Sequence, residues 1–294
     1  MTLPDFQLDP RLVRRRAEQA ATGYASVDTL AREISRRMGE RLDYIRIEPR
    51  RILDLGCGPG PDLAAFAERY PGVPRIAVDS AAAMLAKARG DNGLLKRLLR
   101  FGKPAEPEFI CADATALPLA RATVSLVWSN LMLQWLHDPL PALKEMHRVL
   151  EVGGLLMFST LGPDTLKEFR AALPPSNAEH LHRFIDMHDL GDALVGAGFS
   201  DPVMDMEMLT VTYTSLDDLF RDLRTSGSAN AALSRPRGLV AKAHWAGVRA
   251  NYEQLRRNGR LPATVEVVYG HAWKAAPKVM DDGRAIVRFE RKAG

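Results

Sequence analysis

The stretch Ile52-Leu53-Asp54-Leu55-Gly56-Cys57-Gly58-Pro59-Gly60 constrains this chain more than any other. A short apolar run carrying one acidic residue opens directly into a turn with three glycines. Such a turn lets the backbone reverse tightly and approach a ligand closely, with the next helix N-terminus facing it. A dinucleotide-binding fingerprint would place its third glycine at position 61, where this chain has Pro61. The flanking sequence keeps one rhythm. Residues 51–55 read as a strand, 61–69 as a helix, 75–78 as a strand and 81–88 as a helix. Residues 108–111 and 124–129 read as strands, 139–150 as a helix stopped by Gly153 and Gly154, and 155–160 as a fifth strand. This alternation predicts an α/β fold, a doubly wound and mostly parallel sheet.

Outside that core the pattern is helical first and mixed later. Leu30, Ile34, Met38, Leu42 and Ile45 recur at spacings of three and four, after a basic stretch with Arg14, Arg15 and Arg16. Residues 163–175 read as helix and loop, 186–196, 215–224 and 241–257 as helices, 203–213 and 264–273 as strands, and 275–294 as a polar tail. In 294 residues, apolar types make up 46% and charged types 26%, which excludes a disordered chain. Forty basic against 36 acidic side chains leave +4, too small an excess to indicate nucleic acid. Cys57 and Cys111 are too few for a disulfide framework or a zinc site and fit a reducing cytosol. The longest apolar run, 124–136, is interrupted by Ser125, Ser129, Asn130 and Gln134 and is shorter than the roughly 20 residues of a membrane span. The first ten residues lack a secretory pattern. The expectation is a cytoplasmic protein with no membrane or nucleic-acid partner.

Asp79, followed by Ser80, ends the second strand, where a carboxylate can take both hydroxyls of a ribose. Asp113, followed by Ala114, follows the third strand, where a carboxylate can accept from an adenine amino group. Each alone is as readily a helix cap or turn residue. With the glycine turn they place a nucleoside where the strand order reverses, and this combination resembles the class I S-adenosylmethionine-dependent methyltransferases. The resemblance implies S-adenosylmethionine as cofactor, held by Asp54, Gly56, Cys57, Gly58, Gly60, Asp79, Ser80, Asp113, Ala114 and, after the fourth strand, Asn130.

The resemblance narrows downstream. Trp128-Ser129-Asn130-Leu131 with Gln134-Trp135, Arg148-Val149-Leu150, and Phe158-Ser159-Thr160-Leu161-Gly162-Pro163-Asp164-Thr165-Leu166 are similar to the BioC family of malonyl-acyl-carrier-protein O-methyltransferases in biotin synthesis. So are Arg183-Phe184, Leu223-Arg224 with Gly227-Ser228-Ala229-Asn230, and Leu261-Pro262-Ala263-Thr264 with Tyr269 and Trp273. One departure is the N-terminus, where Tyr24 is kept and the family's upstream Phe is not evident. The resemblance implies a helical N-terminal lid over 1–48, a methyltransferase domain over 49–274 with lid insertions near 162–184 and 226–260, and the tail. It also implies acceptor positioning by Arg183, Tyr24, Gln134 and Trp135, no general base, and a malonyl-carrying acyl-carrier protein or malonyl-coenzyme A as partner. Arg221, Arg224, Arg235, Arg237 and Lys242 are candidate carrier-docking cations. His137, His147, His182, His188 and His271 are scattered, and no metal site is expected. Arginine hydroxylases that assist respiratory complex I assembly share the glycine turn and much of the second half, and supply the alternative.

Overall fold

Seven strands join in one sheet: β1 (Ile52–Leu55), β2 (Arg75–Asp79), β3 (Glu108–Cys111), β4 (Val124–Asn130), β5 (Leu150–Leu161), β6 (Ser200–Tyr213) and β7 (Leu261–Trp273). Their order is β3-β2-β1-β4-β5-β7-β6. The computed structural model describes residues 6–90, 106–175, 179–238 and 241–277. The first five strands pair in parallel, as the alternation predicts. β7 runs antiparallel between β5 and β6. The chain leaves β1 towards β2 and β3, then returns to place β4 on the other side of β1. The order therefore reverses between the C-terminal ends of β1 and β4, where open α/β sheets bind ligands.

Both faces of the sheet are covered. Leu53, Leu55, Val127, Leu156 and Phe158 pack on one face against Leu143 and Met146 of α5 (Leu140–Val149) and Leu194 of α7 (Met187–Gly196). Ile52, Leu126, Trp128, Leu155 and Met157 face the other way. They meet Ile34, Met38 and Leu42 of α2 (Thr29–Leu42) and Phe66 of α3 (Asp62–Arg69). Strand periodicity of two and the helical spacing of α2 thus meet in one core. A third cluster joins α6 (Lys167–Ala172), α8 (Leu216–Thr225) and α9 (Lys242–Glu253) to the start of β7. α1 (Pro10–Ala20) lies against α4 (Ala82–Arg89), where the Glu18 carboxylate accepts from the N–H groups of Ala82 and Ala83 at 2.7 and 2.8 Å. A carboxylate there satisfies two otherwise orphaned donors at the positive end of the helix.

Several expected boundaries move, and β6 and β7 begin at Ser200 and Leu261, each ahead of the expected 203 and 264. Gly153 and Gly154 lie within β5, because Gly153 donates to the carbonyl of Lys274 and Lys274 donates back to Gly154. The last helix stops at Glu253, four residues before its expected end at 257, and Arg257 pairs with Arg260 in a tight turn leading to β7. The tail expected over 275–294 lies outside the described residues from 278 onward.

Candidate active site

The turn after β1 is built from backbone donors. Gly56 and Cys57 both donate to the carbonyl of Val78, at 2.8 and 3.0 Å, which ties the turn to β2. Gly56, Gly58 and Gly60 have φ of 76°, 53° and 76°. A Cβ at Gly56 would overlap the Met132 side chain, whereas nothing lies within 4 Å of a Cβ position at Gly58. The first glycine is therefore required by packing, and the second leaves open space for a ligand against the backbone.

Asp79 joins this turn directly. Its Oδ2 accepts from Gly58 N at 2.9 Å and its Oδ1 from Ala81 N at 2.8 Å. Burial raises its carboxyl, and the bonds from Ala81 and Gly58 oppose that shift. Asp54 is 2% exposed and its Oδ2 has no hydrogen-bond partner, so burial, with Asp62 and Asp79 adding repulsion, drives its carboxyl well above the usual range. An orphaned buried acceptor beside a glycine turn fits a ligand bearing ammonium or hydroxyl donors, as S-adenosylmethionine does. Cys57 is buried and its thiol is pushed up by burial, which makes it packing and not a nucleophile. The Ser80 carbonyl accepts from Cys111 Sγ. Asp113 is exposed, and its Oδ1 accepts from the N–H and hydroxyl of Thr115 at 2.8 and 2.7 Å, while Ala114 packs on the core. The turn role weighed for Asp113 is therefore present, with its second oxygen left over.

At the end of β4 the Asn130 amide is held on both sides. It donates to the Ala31 carbonyl of α2 at 3.1 Å and accepts from Ser159 Oγ at 2.7 Å. Expected as a cofactor contact, it forms a strut between the N-terminal helices and the sheet. The next residue, Leu131, has φ of 53°, a left-handed conformation that a leucine adopts at a cost of roughly 1–3 kcal/mol. Nothing in the local sequence announces it, since leucine is not a turn residue.

Beyond Leu131 opens a cavity of about 1070 Å³, between the sheet and α2, α6, α8 and α9. Tyr24, Gln134 and Trp135 all line it. The Tyr24 hydroxyl is pushed up to about 12 by burial, with the charges of Asp28, Asp62 and Asp79 adding to the shift. Tyr24 therefore stays a hydrogen-bond donor at neutral pH, within the electrostatic reach of Asp79. Gln134 Oε1 accepts from Thr160 Oγ1 at 3.3 Å. Trp135 packs edge-on against His182, ring centres 5.3 Å apart. His182 Nε2 accepts from Ala231 N at 2.8 Å, and burial, with Arg16 adding, lowers its pKa to about 4. It is neutral, with its proton on Nδ1.

Arg183 departs from expectation. It does not line this cavity; it borders a neighbouring groove, is about half exposed, and forms an ion pair with Glu179. The adjacent His182 turns inward instead, and alternation in an extended segment sends the next side chain out. Among the described residues no cluster of three metal-ligating side chains occurs, and no helix is long and apolar enough to cross a membrane.

Comparison with known proteins agrees with this geometry. Residues 53–158 match the model of a methyltransferase domain family. The chain is 48% identical to the malonyl-[acyl-carrier protein] O-methyltransferase of Gallionella capsiferriformans (strain ES-2), over 98% of this chain and 99% of that protein. It is 47% identical to the protein of the same name from Laribacter hongkongensis (strain HLHK9), over 98% of each. The crystal structure of YcgJ from Bacillus subtilis covers 83% of this chain and all of that one, with a TM-score of 0.58 and 13% identity, a likeness of fold alone. With relatives this similar matched over nearly their whole length, the chain belongs to the malonyl-[acyl-carrier protein] O-methyltransferase family.

Proposed function

We propose that this protein methylates the free carboxylate of a malonyl thioester carried by acyl-carrier protein, an early step of biotin synthesis, in the cytoplasm and without a nucleic-acid or membrane partner. The observation that carries this reading is the large, mostly apolar cavity whose wall includes Tyr24 and Leu131, the latter one residue before Met132, whose side chain packs against Gly56 of the glycine turn. The relatives' shared name favours it over the arginine-hydroxylase alternative.

The acceptor decides what the protein must supply. A malonyl carboxylate, with a pKa of roughly 3 to 4, is ionised at pH 7 and needs no base. S-adenosylmethionine, when bound, supplies the methyl carbon to the carboxylate oxygen and leaves as its thioether. The chain's own work is to bind, orient and exclude water. Asp79 holds the cofactor end beside the open backbone at Gly58, and Asp54 offers its free acceptor there. Tyr24 donates from the N-terminal segment, which acts as a lid. Gln134, held by Thr160, presents its amide, and Trp135 walls the cavity. Consistent with this division of labour, His182 is neutral and already accepts a backbone N–H through Nε2. Exposed Arg237 and Lys242 are docking cations for an acidic carrier.

The test compares acceptors. Malonyl thioesters should be methylated and acetyl thioesters should not, at rates flat between about pH 6 and 8, because no acceptor group titrates there. A tenfold rise per pH unit would instead require a base and a different acceptor.

A further inference from the structure

An ionised acceptor entering an apolar cavity needs a cation, since burying a carboxylate without one is costly. Among the described residues, the cavity wall holds three arginines: Arg37, Arg224 and Arg249. Two are committed elsewhere. Arg37 on α2 binds Glu33 at 2.8 Å and pairs with Glu207, and Arg249 on α9 binds Asp217 at 2.8 Å. Arg224, in the last turn of α8, has no acidic partner among the described residues.

Its position connects it to the N-terminal segment. The segment following Arg224 packs on the turn that carries Tyr24. Thr225 Cγ2 lies 2.9 Å from the Cβ position of Gly23, and the Cβ position of Gly227 lies 3.2 Å from Ala20 Cβ and from the Arg16 carbonyl. Tyr24 in turn feels the Asp79 charge. Ser226 and Ser228, hydroxyl oxygens 3.0 Å apart, line the same wall. The cavity wall thus includes an uncommitted guanidinium, two serine hydroxyls and a protonated phenol, carried by segments that pack on one another.

We propose that Arg224 holds the acceptor's free carboxylate and so selects malonyl over neutral acyl thioesters. This rests on the carboxyl-methylation reading above. A guanidinium fork matches a carboxylate in two parallel bonds, which an ammonium cannot reproduce. A charge that merely complements the C-terminus of α8, or one that touches the carrier's surface, would not discriminate between acyl groups.

Carrier-free substrates separate these roles. Malonyl-pantetheine and acetyl-pantetheine are titrated into enzyme saturated with S-adenosylhomocysteine, and malonyl-pantetheine turnover is measured with S-adenosylmethionine. Arg224→Gln should abolish the preference for malonyl over acetyl and lower kcat/KM for malonyl-pantetheine by roughly 30- to 1000-fold. It should leave S-adenosylhomocysteine affinity and the melting temperature near wild type. Arg224→Lys should recover little. The proposal is overturned if Arg224→Gln keeps the malonyl preference, or if it impairs only the carrier-bound substrate, which would make Arg224 a docking residue. A wild-type enzyme that methylates no malonyl thioester would overturn the underlying reading as well, a result distinct from active enzyme indifferent to Arg224.

Discussion

Asp79 joins two tasks in one carboxylate. It locks the glycine turn through Gly58 and the next helix through Ala81, and the second task we propose for it is to hold a ribose. Asp79→Ala should weaken S-adenosylmethionine binding by about 1–3 kcal/mol, read by calorimetry, with some loss of stability because two backbone donors lose their acceptor. Unchanged affinity would remove the ribose role. His182 carries a pH signature. Its folded pKa, lowered from 6.5 to about 4, lies below the unfolded one, so its contribution to stability is complete above pH 6.5 and is lost on acidification towards pH 4. Urea unfolding of wild type should show this decline, and His182→Gln, which still accepts from the Ala231 N–H, should flatten it by up to about 1 kcal/mol per pH unit. An identical pH profile for the two proteins would place the titration elsewhere. The contrast between Asp79 and Arg183 shows what a sequence carries at this scale. Asp79 follows a strand and its role is local grammar. Which way Arg183 turns depends on Glu179 and on the inward packing of His182, and neither neighbour's position is written into the motif.

At the scale of elements, the N-terminal helices, expected as a lid, are foundation to the sheet. Ile34, Met38 and Leu42 of α2 are fully buried against the sheet, and Asp62 at the start of α3 accepts from Ser35 of α2 and from Trp128 of β4, at 2.6 and 2.8 Å. Met38→Ala should therefore cost about 2–5 kcal/mol of global stability, seen as a lower urea midpoint. A detachable flap would leave that midpoint unchanged. The helical spacing of these residues was legible because one helix face meets one sheet face. The parallel order of β1 to β5 was legible from the intervening helices. The direction of β7 was not, because β-branched runs look alike in parallel and antiparallel sheets. The continuation of β5 through Gly153 and Gly154 was hidden too: two glycines read as a stop until Lys274, far along the chain, supplies the pairing.

For the whole molecule, function arises where two constructions meet. The parallel half of the sheet carries the glycine turn and Asp79 at its switch point, where we propose the cofactor binds, and these residues are clustered in sequence. The large cavity, proposed as the acceptor site, is assembled from α2, the β4–α5 loop, α8, α9 and the edge formed by β6 and β7, segments spread over most of the chain. That distribution is why the residues expected at the cofactor, 52–60, 79 and 113, form a compact pattern in the sequence, whereas the residues proposed for the acceptor required motif resemblance and then the fold. It also explains why the fold alone leaves the reaction open: the cradle is shared, and the cavity selects. The central claim is methyl transfer to a carboxylate, and its most direct measurement follows the labelled methyl group. Incubation with methyl-labelled S-adenosylmethionine and malonyl-acyl-carrier protein should place label on the acyl group as a base-labile methyl ester, with none on acetyl-acyl-carrier protein. Label that stays on the protein after mild base, or appears equally with the acetyl carrier, would contradict it.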